Sequence, residues 1–195
     1  MSVPRVSPFR QPHRGWAVME HGTIALLVVV VIVAVLGLLW GLWNKKDVAL
    51  ETSNIQSIVS STRGYLKGNG GYNFTSGTTM TGTLIQIGGV PKGMTLQGDS
   101  TSGTATLWNS WGGQVVVAPV ASNGFNNGFS VTYPQIPQDA CIAMAQQLGS
   151  GAFSSITINS TQHSDGLVTA ETAGKECTKN SGTTGQNTLV FTVNG

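Results

Sequence analysis

Apolar and polar positions divide the chain into three regimes. Residues 1–15 carry Pro4, Pro8 and Pro12 beside Arg5, Arg10 and Arg14, which suits neither a helix nor a core. From Gly22 to Trp43 no residue is charged, and as a helix this run would extend about 33 Å. Beyond it the periodicity persists with a changed face. Val48, Thr52, Ile55, Val59, Thr62 and Leu66 recur at spacings of three and four, with Lys45, Glu51, Asn54, Gln56 and Arg63 off the stripe. The pattern predicts one helix over residues 16–66, apolar all round in its first half and amphipathic in its second. Gly68, Gly70 and Gly71 end it.

Past Gly71 the period shortens. Strands are expected over residues 82–88, 105–108, 114–120, 128–136, 153–159 and 187–194, with a tight hairpin at Gly112 and Gly113. The glycine- and threonine-rich stretches 97–104 and 180–187 read as loops. One further helix is expected over residues 137–149, opened by Pro137 and Asp139 and closed by Gly149. The reading is an α+β chain: a long N-terminal helix on a mainly antiparallel sheet, with one small second helix.

Charge changes the picture only when it is divided. The net +2 is made of +3 in residues 1–15 and −1 in the remainder, so the basicity belongs to a leader and the body offers no basic face for nucleic acid. Only 9% of residues are charged. A signal peptide's apolar core is shorter than this run and is followed by a small-residue cleavage site. Here "LWGLWNKKD" follows instead, so the segment is read as retained. The basic residues before it favour a cytoplasmic N-terminus and a body outside the inner membrane. Two cysteines in an exported body, Cys141 and Cys177, most often form one disulfide, the alternative being two buried thiols. Gly37 and Gly41 suit either close helix packing or the ordinary tolerance of membrane helices for glycine.

The junction "RGWAVME" joined to an uncharged run resembles the type IV pilin signature. That signature is a short basic leader ending in Gly, an apolar first mature residue, and Glu at the fifth mature position: here Gly15, Trp16 and Glu20. Trp16 departs from the commoner Phe or Met, although large apolar first residues occur in the type IVb branch. "IPQDACIAMA", "KECTKN" and a terminal "NTLVFTV" are similar to that branch, in which a C-terminal disulfide bounds a surface region. The likeness is best to major pilins of thin conjugative pili and of enteric type IVb pili. It implies a type IV pilin fold with the divisions 1–15 cleaved leader, 16–43 membrane and filament-core half of the helix, 44–67 amphipathic half, and 68–195 globular head.

The resemblance further implies a prepilin peptidase that cuts the Gly15–Trp16 bond, and assembly machinery that moves subunits from the inner membrane into an extracellular filament of a Gram-negative bacterium. The partners implied are copies of the same chain, with a host or recipient-cell surface at the filament's exterior. Glu20 then acquires a physical role. A carboxylate in an apolar helix bundle is costly unless paired. The new α-ammonium of Trp16 on a neighbouring copy is an available partner, so the pair sets axial register.

Other chemistries find little support. His163, Ser164 and Asp165 are adjacent but lack an oxyanion motif, so an enzyme is not expected. No C-x-x-C or histidine cluster suggests a metal, and no phosphate loop suggests a nucleotide cofactor. Trp108 and Trp111 suit a sugar-stacking face or a cap on the core. The sequons at Asn73 and Asn159 are idle in a bacterial filament. Besides the major pilin, a minor pilin or type II secretion pseudopilin shares these N-terminal features. A monomeric membrane-anchored binding protein leaves Gly15, Trp16 and Glu20 unexplained together.

Overall fold

The computed structural model describes the backbone of residues 15–122 and 124–194, with side chains for residues 28–36, 46–121 and 124–194. Helix α1 runs Gly15–Tyr65. The chain divides into a unit ending at Trp43 and a unit beginning at Asn44. In the first unit the described large aliphatic side chains, Val28 to Leu36, are 47–63% exposed on the single chain, and a helix apolar all round is one that buries such a surface against other apolar matter.

The second unit is built on α1 from Asn44 onward and a seven-stranded antiparallel sheet. Its strands are β1 (Thr95–Gln97), β2 (Thr106–Trp108), β3 (Gln114–Ser122), β4 (Phe125–Ile136), β5 (Ser155–Ile158), β6 (Thr161–His163) and β7 (Asn187–Asn194). They lie in the order β1-β2-β3-β4-β7-β5-β6. The last strand therefore sits inside the sheet, between β4 and β5. A three-residue strand closes each side of the sheet, β1 with all of its residues exposed and β6 with two of three exposed.

Alternation decides which face is covered. Val115 and Val117, Phe129, Val131 and Tyr133, Leu189, Phe191 and Val193, and Ile156 and Ile158 all point inward. They share one apolar cluster with Val48, Ile55, Ile58, Val59 and Leu66 of α1. Tyr72 packs edge-on against Phe129 with ring centroids 5.0 Å apart. The opposite face carries Val116, Ala118, Ser130, Thr132, Val190 and Thr192, all partly exposed and none charged.

Three short helices complete the unit, where one was expected: α2 (Gly77–Gln86), α3 (Gln138–Leu148) and α4 (Ala170–Glu176). The expected strand over residues 82–88 is the largest correction, because most of it belongs to α2. Ser76 and Thr79 form a reciprocal capping box, and Met80, Thr81, Leu84 and Ile85 supply a helical buried face. The β-branched Thr83, Ile85 and Ile87 lean weakly toward a strand, but the cap and the core contacts override that preference. Gly82 has a steric reason to be glycine, since a Cβ there would stand 1.9 Å from the Gly103 carbonyl oxygen. Thr81 closes the β3 edge beyond the end of β2, its hydroxyl accepting from the Val117 N–H at 2.8 Å and donating to the Val117 carbonyl at 3.2 Å.

The hairpin expected at Gly112 and Gly113 is present, pairing Leu107 with Val115. The β3–β4 hairpin turns at Ser122 and Phe125, so β4 begins three residues before the expected start. Strands β1 and β6 and helix α4 went unpredicted, each being only three to seven residues long.

Candidate functional site

Two polar constructions stand out in this otherwise apolar and weakly charged molecule. The first surrounds Glu51. Its place in α1, between Val48 and Ile55, turns it toward the sheet, and it is 1% exposed. Ser110, in the β2–β3 turn, donates to Oε1 through its backbone N–H at 2.7 Å and through its hydroxyl. The Tyr133 hydroxyl donates to Oε2 at 2.9 Å, and the Asn54 amide donates to the same oxygen at 3.1 Å. Four donors on two oxygens offset the desolvation of a buried carboxylate. Burial, the Glu51 charge and the hydrogen bond to Glu51 together push the Tyr133 phenol far above its ordinary range. Asn109 tightens the same turn, its carboxamide oxygen accepting from the N–H groups of Trp111 and Gly113 while its nitrogen donates to the Pro134 carbonyl at 2.8 Å.

Glu51 and Asn54 were expected on the solvent side of the stripe, and both are buried. Thr52, expected on the stripe, is only partly covered. A signal was present: Val48, Glu51, Ile55, Ile58 and Thr62 also follow three- and four-residue spacing. Scoring polar residues as outward hid it. Trp111 packs against the core, and the Trp108 indole donates to Thr106 at 2.9 Å. The pair thus braces the β2–β3 turn.

The second construction is the C-terminal region. Cys141 of α3 and Cys177, immediately after α4, are bridged with Cα atoms 6.0 Å apart. Around the bridge a set of carboxamides replaces regular secondary structure. Asn187 is fully buried at the start of β7. It donates to the Ile136 and Thr178 carbonyls at 3.1 and 2.9 Å and accepts from the Thr178 N–H at 2.7 Å. Asn159 has a left-handed backbone, φ +54°, and donates to the Glu176 carbonyl and to Asn187 while accepting from the Thr188 N–H. Gln138 reaches the Cys177 carbonyl at 3.0 Å, and Asn180 accepts from the Gln138 N–H at 2.8 Å, supplying the cap that Pro137 cannot. His163 contacts Glu176 at 2.8 Å, so the histidine singled out in sequence ties β6 to α4.

A cleft of about 260 Å³ lies between α1 and the end of α3, lined by Val59, Leu148 and Phe153 together with Gln56, Arg63 and Gln147. Arg63 is the one charged residue in its lining. Among the described residues no group of three or more His, Cys, Asp or Glu is placed to hold a metal ion. Gly15 opens α1. The side chains of Trp16 and Glu20 lie outside the described residues, as does most of the apolar run. Among the described residues no helix is long and apolar enough to cross a membrane.

A family model described as PilS N terminal matches residues 45–194. The chain belongs to the type IVb pilin family. A crystal structure of the type IVb pilin from Salmonella typhi is 53% identical, covering 75% of this chain and 99% of that one with a TM-score of 0.67. An NMR structure of the type IVb pilin PilS from the same organism is also 53% identical, covering 77% and 98% with a TM-score of 0.55. No curated protein is significantly similar. The pilin is a structural subunit of a pilus, an extracellular filament assembled from pilin subunits. Its fold belongs to a structural rather than an enzymatic family. The family match spans residues 45–194, so membership is carried by the amphipathic helix half and the head and not by the N-terminal signature.

Proposed function

We propose that the chain is a major prepilin whose residues 1–15 are removed by cleavage of the Gly15–Trp16 bond. Residues 16–43 then hold the subunit in the inner membrane before they become filament core. Residues 44–67 and 68–195 are the amphipathic helix half and the head. The observation that carries this reading is the conjunction of a type IVb pilin head with the "RGWAVME" junction directly before an uncharged 22-residue run.

Glu20 pairs with the terminal ammonium of Trp16 on a neighbouring copy, because an unpaired charge in such a bundle costs several kcal/mol. A prepilin peptidase and the assembly machinery act on this N-terminal part. The filament serves adhesion, cell–cell contact or conjugative mating through the exposed head surface. Terminal sequencing of sheared surface filaments tests the reading. A mature chain starting at Trp16 is expected, and filaments that retain residues 1–15, or that begin beyond Trp43, overturn it.

A further inference from the structure

The interface between α1 and the sheet poses a problem of register. Its apolar members, Val48, Ile55, Ile58, Val59 and Leu66 against Val117, Phe129, Val131 and Phe191, are aliphatic and aromatic groups that attract without direction. Such a helix could move along the sheet by one turn, about 5.4 Å, and still bury comparable area. Glu51 is the member that could not. One turn away its carboxylate would lose the three donors that come from outside the helix, keeping only Asn54, while the Ser110 N–H and the Tyr133 hydroxyl would be left without their acceptor.

We propose that Glu51 is a positioning residue for assembly, which fixes the axial register of the head on α1 through Ser110 and Tyr133. A single buried polar residue specifies register in packed helices in the same way, by penalising the alternatives more than it stabilises the chosen state. The contacts that cross the interface come from two separate places. Ser110 stands in the β2–β3 turn and Tyr133 is on β4, the middle strand of the sheet, while Asn54 shares the helix and only steadies the carboxylate. Ser110 and Tyr133 together therefore fix position along the sheet as well as across it. The consequence for the filament rests on the reading given under Proposed function: every subunit must present its head at the same height on its helix if heads are to repeat regularly.

The test uses the full chain in detergent with spin labels on cysteines introduced at Ser57 and Gln162, both exposed; the native cysteines are bridged and do not react. The unsubstituted interface should give one narrow distance distribution. Glu51→Leu with Tyr133→Phe should broaden it, or add a population displaced by about 5 Å, while the Cys141–Cys177 bridge and cooperative melting persist. Glu51→Gln, which keeps the shape and most of the bonding, should restore the narrow distribution. A folded Glu51→Leu, Tyr133→Phe chain with the original narrow distribution overturns the proposal.

If that variant does not fold, Glu51→Met alone removes the acceptor of every contact that crosses the interface, the Ser110 N–H included, and keeps both hydroxyls in place. Broadening there supports the register role and an unchanged distribution overturns it. Failure of the unsubstituted chain to form filaments in cells would remove the assembly reading alone, since the distances are measured on single subunits.

Discussion

Removing the Cys141–Cys177 bridge is the perturbation whose magnitude follows most directly from the chain. The bridged residues are 36 apart in sequence, and the loop-closure entropy of that separation corresponds to about 4 kcal/mol of lost stability at 25 °C. Both cysteines are buried, at 0% and 2% exposure, so Cys141→Ala with Cys177→Ala also leaves a small void. Opposing this, the Asn187 and Asn159 bonds hold much of the same region without the crosslink.

Urea unfolding of the detergent-solubilised chain, followed by near-ultraviolet circular dichroism, measures the balance. With an m-value of about 2 kcal/mol/M the midpoint should fall by about 2 M. Reduced wild-type chain should fall by nearly as much, because it lacks the crosslink and keeps the sulfur volume. A midpoint that drops only in the alanine variant would assign the effect to the void. A drop below about 0.5 M in both would refute the argument from loop entropy.

Three further outcomes are expected. The Thr62 hydroxyl is buried with no hydrogen-bond partner, so Thr62→Val should raise stability by about 1 kcal/mol in thermal or urea unfolding, and a loss would show that the hydroxyl is satisfied after all. The Tyr133 phenol is shifted upward in the folded chain, so its contribution is complete below about pH 10 and is lost as pH rises above that value. Tyr133→Phe should therefore fall less steeply with pH between about 10 and 12, by about 1.4 kcal/mol per pH unit, and equal slopes would contradict the assignment. Glu20→Gln should leave cleavage and membrane insertion intact and abolish assembly, since an unpaired ammonium costs about 3–5 kcal/mol in an apolar bundle. Filament yield relative to processed subunit measures it, and normal yield would reduce Glu20 to a hydrated interfacial acid.

The fold was legible where one physical signal dominated. Strand alternation in β4 and β7, the Gly112 and Gly113 turn, and α3 between Pro137 and Gly149 each rest on local chemistry that tertiary contacts do not reverse. Helix α2 is less legible because the β-branched Thr83, Ile85 and Ile87 lean toward a strand, and the Ser76 capping box that opens the helix lies before that stretch. Glu51 was misplaced for a different reason. The helical spacing places it on the inward face, but apart from Asn54 its donors come from residues 59 and 82 positions away, and no local pattern announces that a carboxylate will find them. Asn187 and Asn159 belong to the same class, carboxamides whose meaning comes from the loops they join. The bridged cysteines, by contrast, needed only their number and an exported setting to be paired.

The short strands at the two margins of the sheet acquire a meaning once heads are crowded along a filament. A polymer holds its heads at an effective concentration no free protein reaches, and at such density any long open strand would recruit its neighbour's. Three residues offer too few backbone groups for a durable splice. On one side β1 ends there and the Thr81 hydroxyl occupies the ladder positions of Val117; on the other β6 stops at His163, whose ring is engaged by Glu176. The subunit thus enters a dense lattice with its sheet already terminated, leaving neighbours free to choose contacts by shape instead of by backbone stickiness.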